Sequence, residues 1–284
     1  MPRHTKHIAR HRKRLGQIFL RDPLVVEHIM MSAAFTPYDT ILEIGPGSGA
    51  LTGALSQRAQ ALYAIEIDKH YADALRQRFA SQPHVHILHA DARDYDYAQL
   101  PVPLVVVANL PYSMGLPILR RLFAFRQHLL RLIIMLQKEV ASRLLAQPGT
   151  SAYGALSVFF QYYAEIRRCF EVSRHAFTPV PAVDSTVLAF TPFPSLPWPS
   201  TNEPFFLRIV KCAFTHRRKT LRTNLLAALQ PDLTKAQLAE TFRDLHLTDN
   251  VRPQELHIAQ FVQLADTLHG LLPDSNPAGR HQLQ

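Results

Sequence analysis

Glu66, Asp91 and Asn109 each stand at the end of a short apolar run, and a further run, LEI, opens into the glycine-rich turn GPGSG. Gly45, Gly47 and Gly49 follow the spacing G-x-G-x-G. Missing side chains there permit a tight turn and let a ligand lie against bare backbone. A dinucleotide site would instead carry G-x-G-x-x-G, leading to a helix N-terminus that holds a pyrophosphate. A carboxylate at the position of Glu66 can accept hydrogen bonds from both hydroxyls of a ribose. Asp91 can take one from an adenine amine, with the Ala92 amide facing the ring. A glycine turn, a Glu and an Asp at successive strand ends thus describe a pocket for a nucleoside without phosphates, and S-adenosyl-L-methionine is the expected occupant.

The tetrapeptide Asn109-Leu110-Pro111-Tyr112 supplies the second half of such a chemistry. The amine of an adenine is a poor nucleophile because its lone pair is delocalised into the ring. The Asn109 side-chain oxygen and the Leu110 carbonyl can both accept from the amine's protons and turn its lone pair outward. Pro111 stiffens the turn, and Tyr112 offers an aromatic face, where stacking contributes roughly 1–3 kcal/mol per base. The ring, rather than the hydroxyl, is expected to matter at Tyr112. A sulfonium is already an activated electrophile, so positioning suffices and no metal is expected.

These residues need a scaffold that brings strand ends together. Leu104–Ala108 is apolar and rich in β-branched residues, as suits a strand covered on both faces of a parallel sheet. Further strands are expected at Thr40–Ile44, Ala61–Ile65, Val85–His89, Leu132–Leu136, Ile166–Val172 and Ser185–Phe190, with helical stretches between most of them. The expected fold class is α/β, with ligands beyond the carboxyl ends of the strands. Prolines crowd residues 193–204, which read as a linker. Residues 205–272 carry a helical period throughout. The expected organisation is a basic arm over 1–14, an α/β domain over 15–192, the linker, a helical domain over 205–272 and a disordered tail over 273–284.

The chain has 284 residues, 47% of them hydrophobic, enough for a sizeable core. Thirty-one Lys and Arg against 22 Asp and Glu leave a net charge of +9, which favours a polyanionic partner. Arg3, Lys6, Arg10, Arg12, Lys13 and Arg14 occur with no acid among them, as in an arm lying along phosphates. Cys169 and Cys212 stand far apart, outside any metal or disulfide spacing, which points to the cytoplasm. No apolar stretch follows the basic N-terminus, so a membrane partner is not expected.

Several longer strings carry a resemblance. They are KRLGQIFL (Lys13–Leu20), EIGPGSGALT (Glu43–Thr52), EID (Glu66–Asp68), DA (Asp91 and Ala92) and NLPY (Asn109–Tyr112), followed by LQKEVASRLLAQPGTSAYGALSVFFQYY, FTPVPAVDSTV and FTHRRKTLRTNL. Over about residues 12 to 270 the chain resembles the KsgA family of ribosomal RNA adenine dimethyltransferases. The resemblance implies a Rossmann-like class I methyltransferase domain followed by a small all-helical domain. It also implies a monomer that moves four methyl groups from S-adenosyl-L-methionine, leaving S-adenosyl-L-homocysteine. The acceptors are two adjacent adenosines in the 3′-terminal hairpin loop of 16S rRNA, within an immature small ribosomal subunit.

By motif position Ile18, Leu20, Gly45, Glu66, Asp91 and Asn109 would contact the donor. Asn109, Leu110, Pro111 and Tyr112 would frame the target base, with Phe177 as a second aromatic wall. Family members usually carry Asn or His at the position of Ile18, so only its backbone could bond the donor. The basic string Arg208–Leu225 would contact phosphates through Lys211, Arg217, Arg218, Lys219 and Arg222. Helical spacing is expected to bring Lys211, Arg218 and Arg222 to one face. Three rival readings are a resistance-type 23S rRNA adenine methyltransferase, a DNA adenine methyltransferase, and a noncatalytic RNA-binding, assembly or transcription factor on the same scaffold. The first tends to carry Ile where Leu110 stands, and retention of Glu66, Asp91 and NLPY speaks against the last.

Overall fold

The structure, a computed structural model, describes residues 18–272. The basic arm and the polar tail expected at the termini lie outside the described residues. The described residues form nine strands: β1 (Phe19–Leu20), β2 (Thr40–Ile44), β3 (Ala61–Glu66), β4 (Val85–His89), β5 (Leu104–Asn109), β6 (Leu129–Gln137), β7 (Ala164–Val172), β8 (Phe177–Thr178) and β9 (Ser185–Pro192). Seven of them build one sheet in the order β4-β3-β2-β5-β6-β9-β7. Strands β4 through β6 run parallel, whereas β9 lies antiparallel between β6 and β7.

The run Val105, Val106 and Val107 is at most 1% exposed, because β5 sits mid-sheet with helices on both faces. Helix Pro23–Ala33 contributes Ile29, Met30 and Ala33 to one side of the core. Asp22 caps its start by accepting from the Leu24 amide. Helix Gly115–Phe123 buries Ile118, Leu119, Leu122 and Phe123, and the Phe123 ring meets Phe190 of β9 edge-on.

Strand β2 is followed in the chain by β3 on one side, while β5 returns to its other side. Such a reversal opens a crevice at the carboxyl edge. In register there, Ile44 faces both Ile65 and Ala108, so the residues that follow β2, β3 and β5 emerge side by side. A second, two-stranded sheet pairs Leu20 with Phe177 and Phe19 with Thr178. Two-residue strands carry no periodicity, and this one was not expected.

The described chain falls into two compact units, residues 18–145 with 163–194, and residues 146–162 with 195–272. The helical unit thus takes in residues 146–162, which the sequence reading placed with the sheet. Its helices are Ala155–Tyr163, of which residues up to 162 belong here, Glu203–Ala213, Leu221–Leu229, Lys235–Asp244 and Ile258–Leu271. Aromatic packing draws the early segment in, with the Tyr162 ring 4.4 Å from Phe206 and the buried Tyr153 hydroxyl donating to the Leu256 carbonyl at 3.1 Å. The proline-rich segment is tied down rather than free, since Ser200 and Thr201 both donate to Asp266.

Candidate active site

The carboxyl edge of the parallel strands surrounds a cavity of about 280 Å³, lined within the sheet unit alone. Gly47 in the turn after β2 has φ of +54°, and a Cβ there would come within 2.9 Å of the Phe19 ring. Both conditions call for glycine. Phe19 in turn lies 5.4 Å from Tyr71, so the segment before β1's end closes over the turn. Gly45, also in the left-handed region, lines the same cavity.

Glu66 ends β3 only 3% exposed. Its Oε2 accepts from the Gly47 amide at 2.9 Å and its Oε1 from the Asp68 amide at 2.9 Å. Burial pushes its carboxyl above the ordinary range, and those two amides oppose the shift. A carboxylate offers about four acceptor positions, so acceptor capacity remains for vicinal hydroxyls.

Beside it stands a second acid. Glu43 in β2 is 1% exposed, lines the cavity and leaves Oε2 without a hydrogen-bond partner among the described residues. Burial pushes its carboxyl up to about 8, Thr52 works the other way, and the Glu66 charge adds to the rise. It is therefore largely protonated at neutral pH. Sequence reasoning gave Glu43 no role, although it lies in the EIGPG string. Strand β2 is buried on both faces, so no alternation singles that acid out.

Asp91 borders the cavity just past β4. Its two oxygens are engaged by Arg93 through the backbone amide, Nε and Nη2, the last at 2.5 Å. Those hydrogen bonds hold the Asp91 carboxyl below the usual range. A ligand amine at Asp91 would have to share or displace the guanidinium fork. Arg93 was not singled out in the sequence.

Asn109 closes β5 half-buried, and the Leu110 amide continues the ladder to the Met135 carbonyl. Leu110 is 1% exposed, packed close to Gly115, where a Cβ would come 3.3 Å from its own. Pro111 and Met114 form the turn into the helix. Tyr112 is half-buried at the cavity, and its hydroxyl lies 3.0 Å from Ser185 Oγ. Phe177, 2% exposed, reaches the same cavity from β8, and Ile18 and Leu20 reach it from either side of Phe19. All of the residues expected at the donor and the base, Ile18 included, therefore border one cavity.

The basic string is arranged differently from expectation. Helix Glu203–Ala213 ends within it, just after Lys211, and helix Leu221–Leu229 begins only after the Thr220 cap. Lys211, Arg218 and Arg222 therefore lie on two helices and the turn between them, and helical spacing does not group them. Arg217 donates to the carbonyls of Ser151 and Tyr153, and Arg222 pairs with Asp249 at 2.7 Å. Lys211, Arg218 and Lys219 are exposed and form no ion pair among the described residues. Asp249 lies 27 residues from Arg222, beyond the reach of any local pattern.

A family model described as Ribosomal RNA adenine dimethylase matches residues 8–269. A protein of Photobacterium profundum named Ribosomal RNA small subunit methyltransferase A is 40% identical over 268 residues, which span 93% of this chain and 95% of that one. One of the same name from Marinobacter nauticus is 38% identical over 266 residues, 93% of this chain and 94% of its own length. The crystal structure of a dimethyladenosine transferase from Plasmodium falciparum shares the fold at a TM-score of 0.78 and 24% identity, covering 89% of this chain and 98% of that one.

Proposed function

The chain belongs to the ribosomal RNA adenine dimethylase family, and from that premise we propose that it dimethylates two adjacent adenosines in the 3′-terminal hairpin loop of 16S rRNA, on an immature small ribosomal subunit. It is an S-adenosylmethionine-dependent adenine dimethyltransferase acting on ribosomal RNA. The finer reading has it work as a monomer in the cytoplasm. Among the described residues no helix is long and apolar enough to cross a membrane.

The residues present fit the donor. Bare backbone at Gly45 and Gly47 and the remaining acceptor capacity of Glu66 border one cavity, which Glu43 also lines. In this reading Gly45 and Glu66 hold the nucleoside, Asp91 and Ala92 receive its base, and Ile18 and Leu20 cover it. The donor, when bound, supplies an electrophilic methyl group on a sulfonium.

The chain's own work is on the acceptor. Asn109 Oδ1 and the Leu110 carbonyl accept from the exocyclic amine and draw its nitrogen toward tetrahedral geometry, so that its lone pair is exposed. Tyr112 stacks on the unstacked base and Phe177 closes the other side. The amine's surplus proton leaves to water after transfer, and no side chain is required as a base.

The observation that carries this reading is the meeting of Asn109, Leu110 and Tyr112 with Glu66 and the glycine turn around one cavity. Its test is incubation with labelled donor and separate preparations of unmodified small and large subunits, with modified bases mapped by mass spectrometry. Dimethyladenosine in the 3′-terminal hairpin loop of the small-subunit RNA is expected. Label confined to large-subunit RNA would overturn the assignment.

A further inference from the structure

Ser185 opens β9 in register with Gln137 of β6, and it is 1% exposed. A hydroxyl that deep needs a partner. Among the described residues its side-chain partner is the phenolic hydroxyl of Tyr112, 3.0 Å away and 73 residues distant in sequence. The same phenol lies 3.5 Å from the Val183 carbonyl, so it can accept from Ser185 while donating weakly to Val183. The anchor itself is fixed. The Lys138 amide donates to the Asp184 carbonyl at 3.0 Å, and the Arg174 amide to Asp184 Oδ1 at 3.0 Å, which pins the chain on the N-terminal side of Ser185.

Tyr112, by contrast, stands in a turn. Its ring is half-buried beside the cavity, and packing alone leaves it freedom about its side-chain torsions. From this geometry we propose that Ser185 is a positioning residue for methyl transfer, holding the plane of the Tyr112 ring at the orientation in which it receives the target base. The proposal rests on the reading of Tyr112 as the stacking surface. It gives the phenolic hydroxyl a function that stacking by itself does not require. Ser185 touches neither donor nor amine, and its effect passes entirely through Tyr112.

The test compares Ser185→Ala, Tyr112→Phe and the double variant with the parent on unmodified small subunits. Ser185→Ala is expected to lower kcat about three- to tenfold, in keeping with one net hydrogen bond. KM for the subunit and Kd for S-adenosylhomocysteine are expected to stay near parental values. Tyr112→Phe should lose a similar factor, and the double variant should lose no more than the worse single one, because both changes delete one interaction. Ser185→Thr keeps the hydroxyl and should recover most of the rate. Should its added methyl prevent folding, the Ala and Phe comparison decides alone. Losses that multiply, or a Ser185→Ala enzyme with parental kcat, would overturn the proposal. Carbon-13 labelling of tyrosine rings gives a readout free of activity, in which the Tyr112 ring signals should shift in Ser185→Ala. A parent that methylates no ribosomal adenine but shows that shift would sink the reading of the reaction while leaving the Tyr112–Ser185 pairing intact. An unmoved signal would sink the pairing itself.

Discussion

Glu66 Oε2 accepts a hydrogen bond from the Gly47 amide at 2.9 Å, so the end of β3 holds the turn that follows β2. The same side chain both shapes the glycine turn and faces the cavity. Replacing Glu66 by Gln puts an amide NH₂ against one of two backbone N–H groups, Gly47 or Asp68. Hydrogen bonds to charged groups contribute about 1.5–3 kcal/mol, so donor affinity is expected to fall roughly ten- to a hundredfold. Calorimetric titration with S-adenosylhomocysteine measures this. An unchanged Kd would remove Glu66 from the donor site.

Asn109→Ala should slow single-turnover transfer by roughly two orders of magnitude while leaving subunit binding nearly unchanged, because its hydrogen bond strengthens as the amine changes geometry. The Leu110 carbonyl remains in place, which keeps the loss from being total. Rapid-quench assays at saturating subunit concentration read the effect. A variant with the parental single-turnover rate denies Asn109 this role.

Glu43 carries a pH signature. Its carboxyl titrates near 4.5 when solvated and at about 8 in the folded chain. Between those values the folded state keeps a proton that the unfolded state has released, so stability falls as pH rises through that window. Burial of the acid costs nothing extra below it, where both states are protonated. Melting curves of the parent from about pH 5 to about pH 8 should therefore decline more steeply than those of Glu43→Gln. Parallel declines would mean that another group carries the slope.

The exposed pair Arg218 and Lys219 should dominate the salt dependence of subunit binding. Reversing both to Glu should weaken binding and flatten the log–log slope by roughly 0.7–0.9 for each phosphate left without its cation. Arg222→Ala should change the slope less, since Asp249 already neutralises that guanidinium. Filter binding across a salt series separates the two. Equal changes would mean that the ion pair opens on RNA, and a parental slope in the reversed pair would put the phosphates elsewhere.

What was legible in the sequence was local. The apolar run into Asn109 announces both a buried strand and its end, and the glycine turn lies on the chain directly beside its own strand. Strand ends of a parallel sheet gather at one edge, so residues read singly from Gly45, Glu66, Asp91 and Asn109 come to border one cavity. What was hidden depended on distant partners. Nothing near Arg222 hints at Asp249, and nothing near Tyr112 hints at Ser185. The direction of β9 was equally silent, because a strand buried on both faces has the same composition whichever way it runs. The apolar pattern over 155–162 likewise shows that the segment is buried without showing what buries it.

Because residues 146–162 belong with 195–272, the chain leaves the sheet unit, returns to it at 163 and leaves it again after 194. During synthesis the helical unit cannot be completed when its first piece emerges. Tyr153 and Tyr162 must wait for Phe206 and Leu256, which are made dozens of residues later. A single cut in the proline-rich segment would not yield two self-sufficient halves either. A fragment beginning there would lack the aromatic residues on which its core closes, and the remainder would carry them exposed. Exchange of this unit between relatives therefore requires two segments to be moved together, on either side of the stretch 163–194 that belongs to the sheet unit.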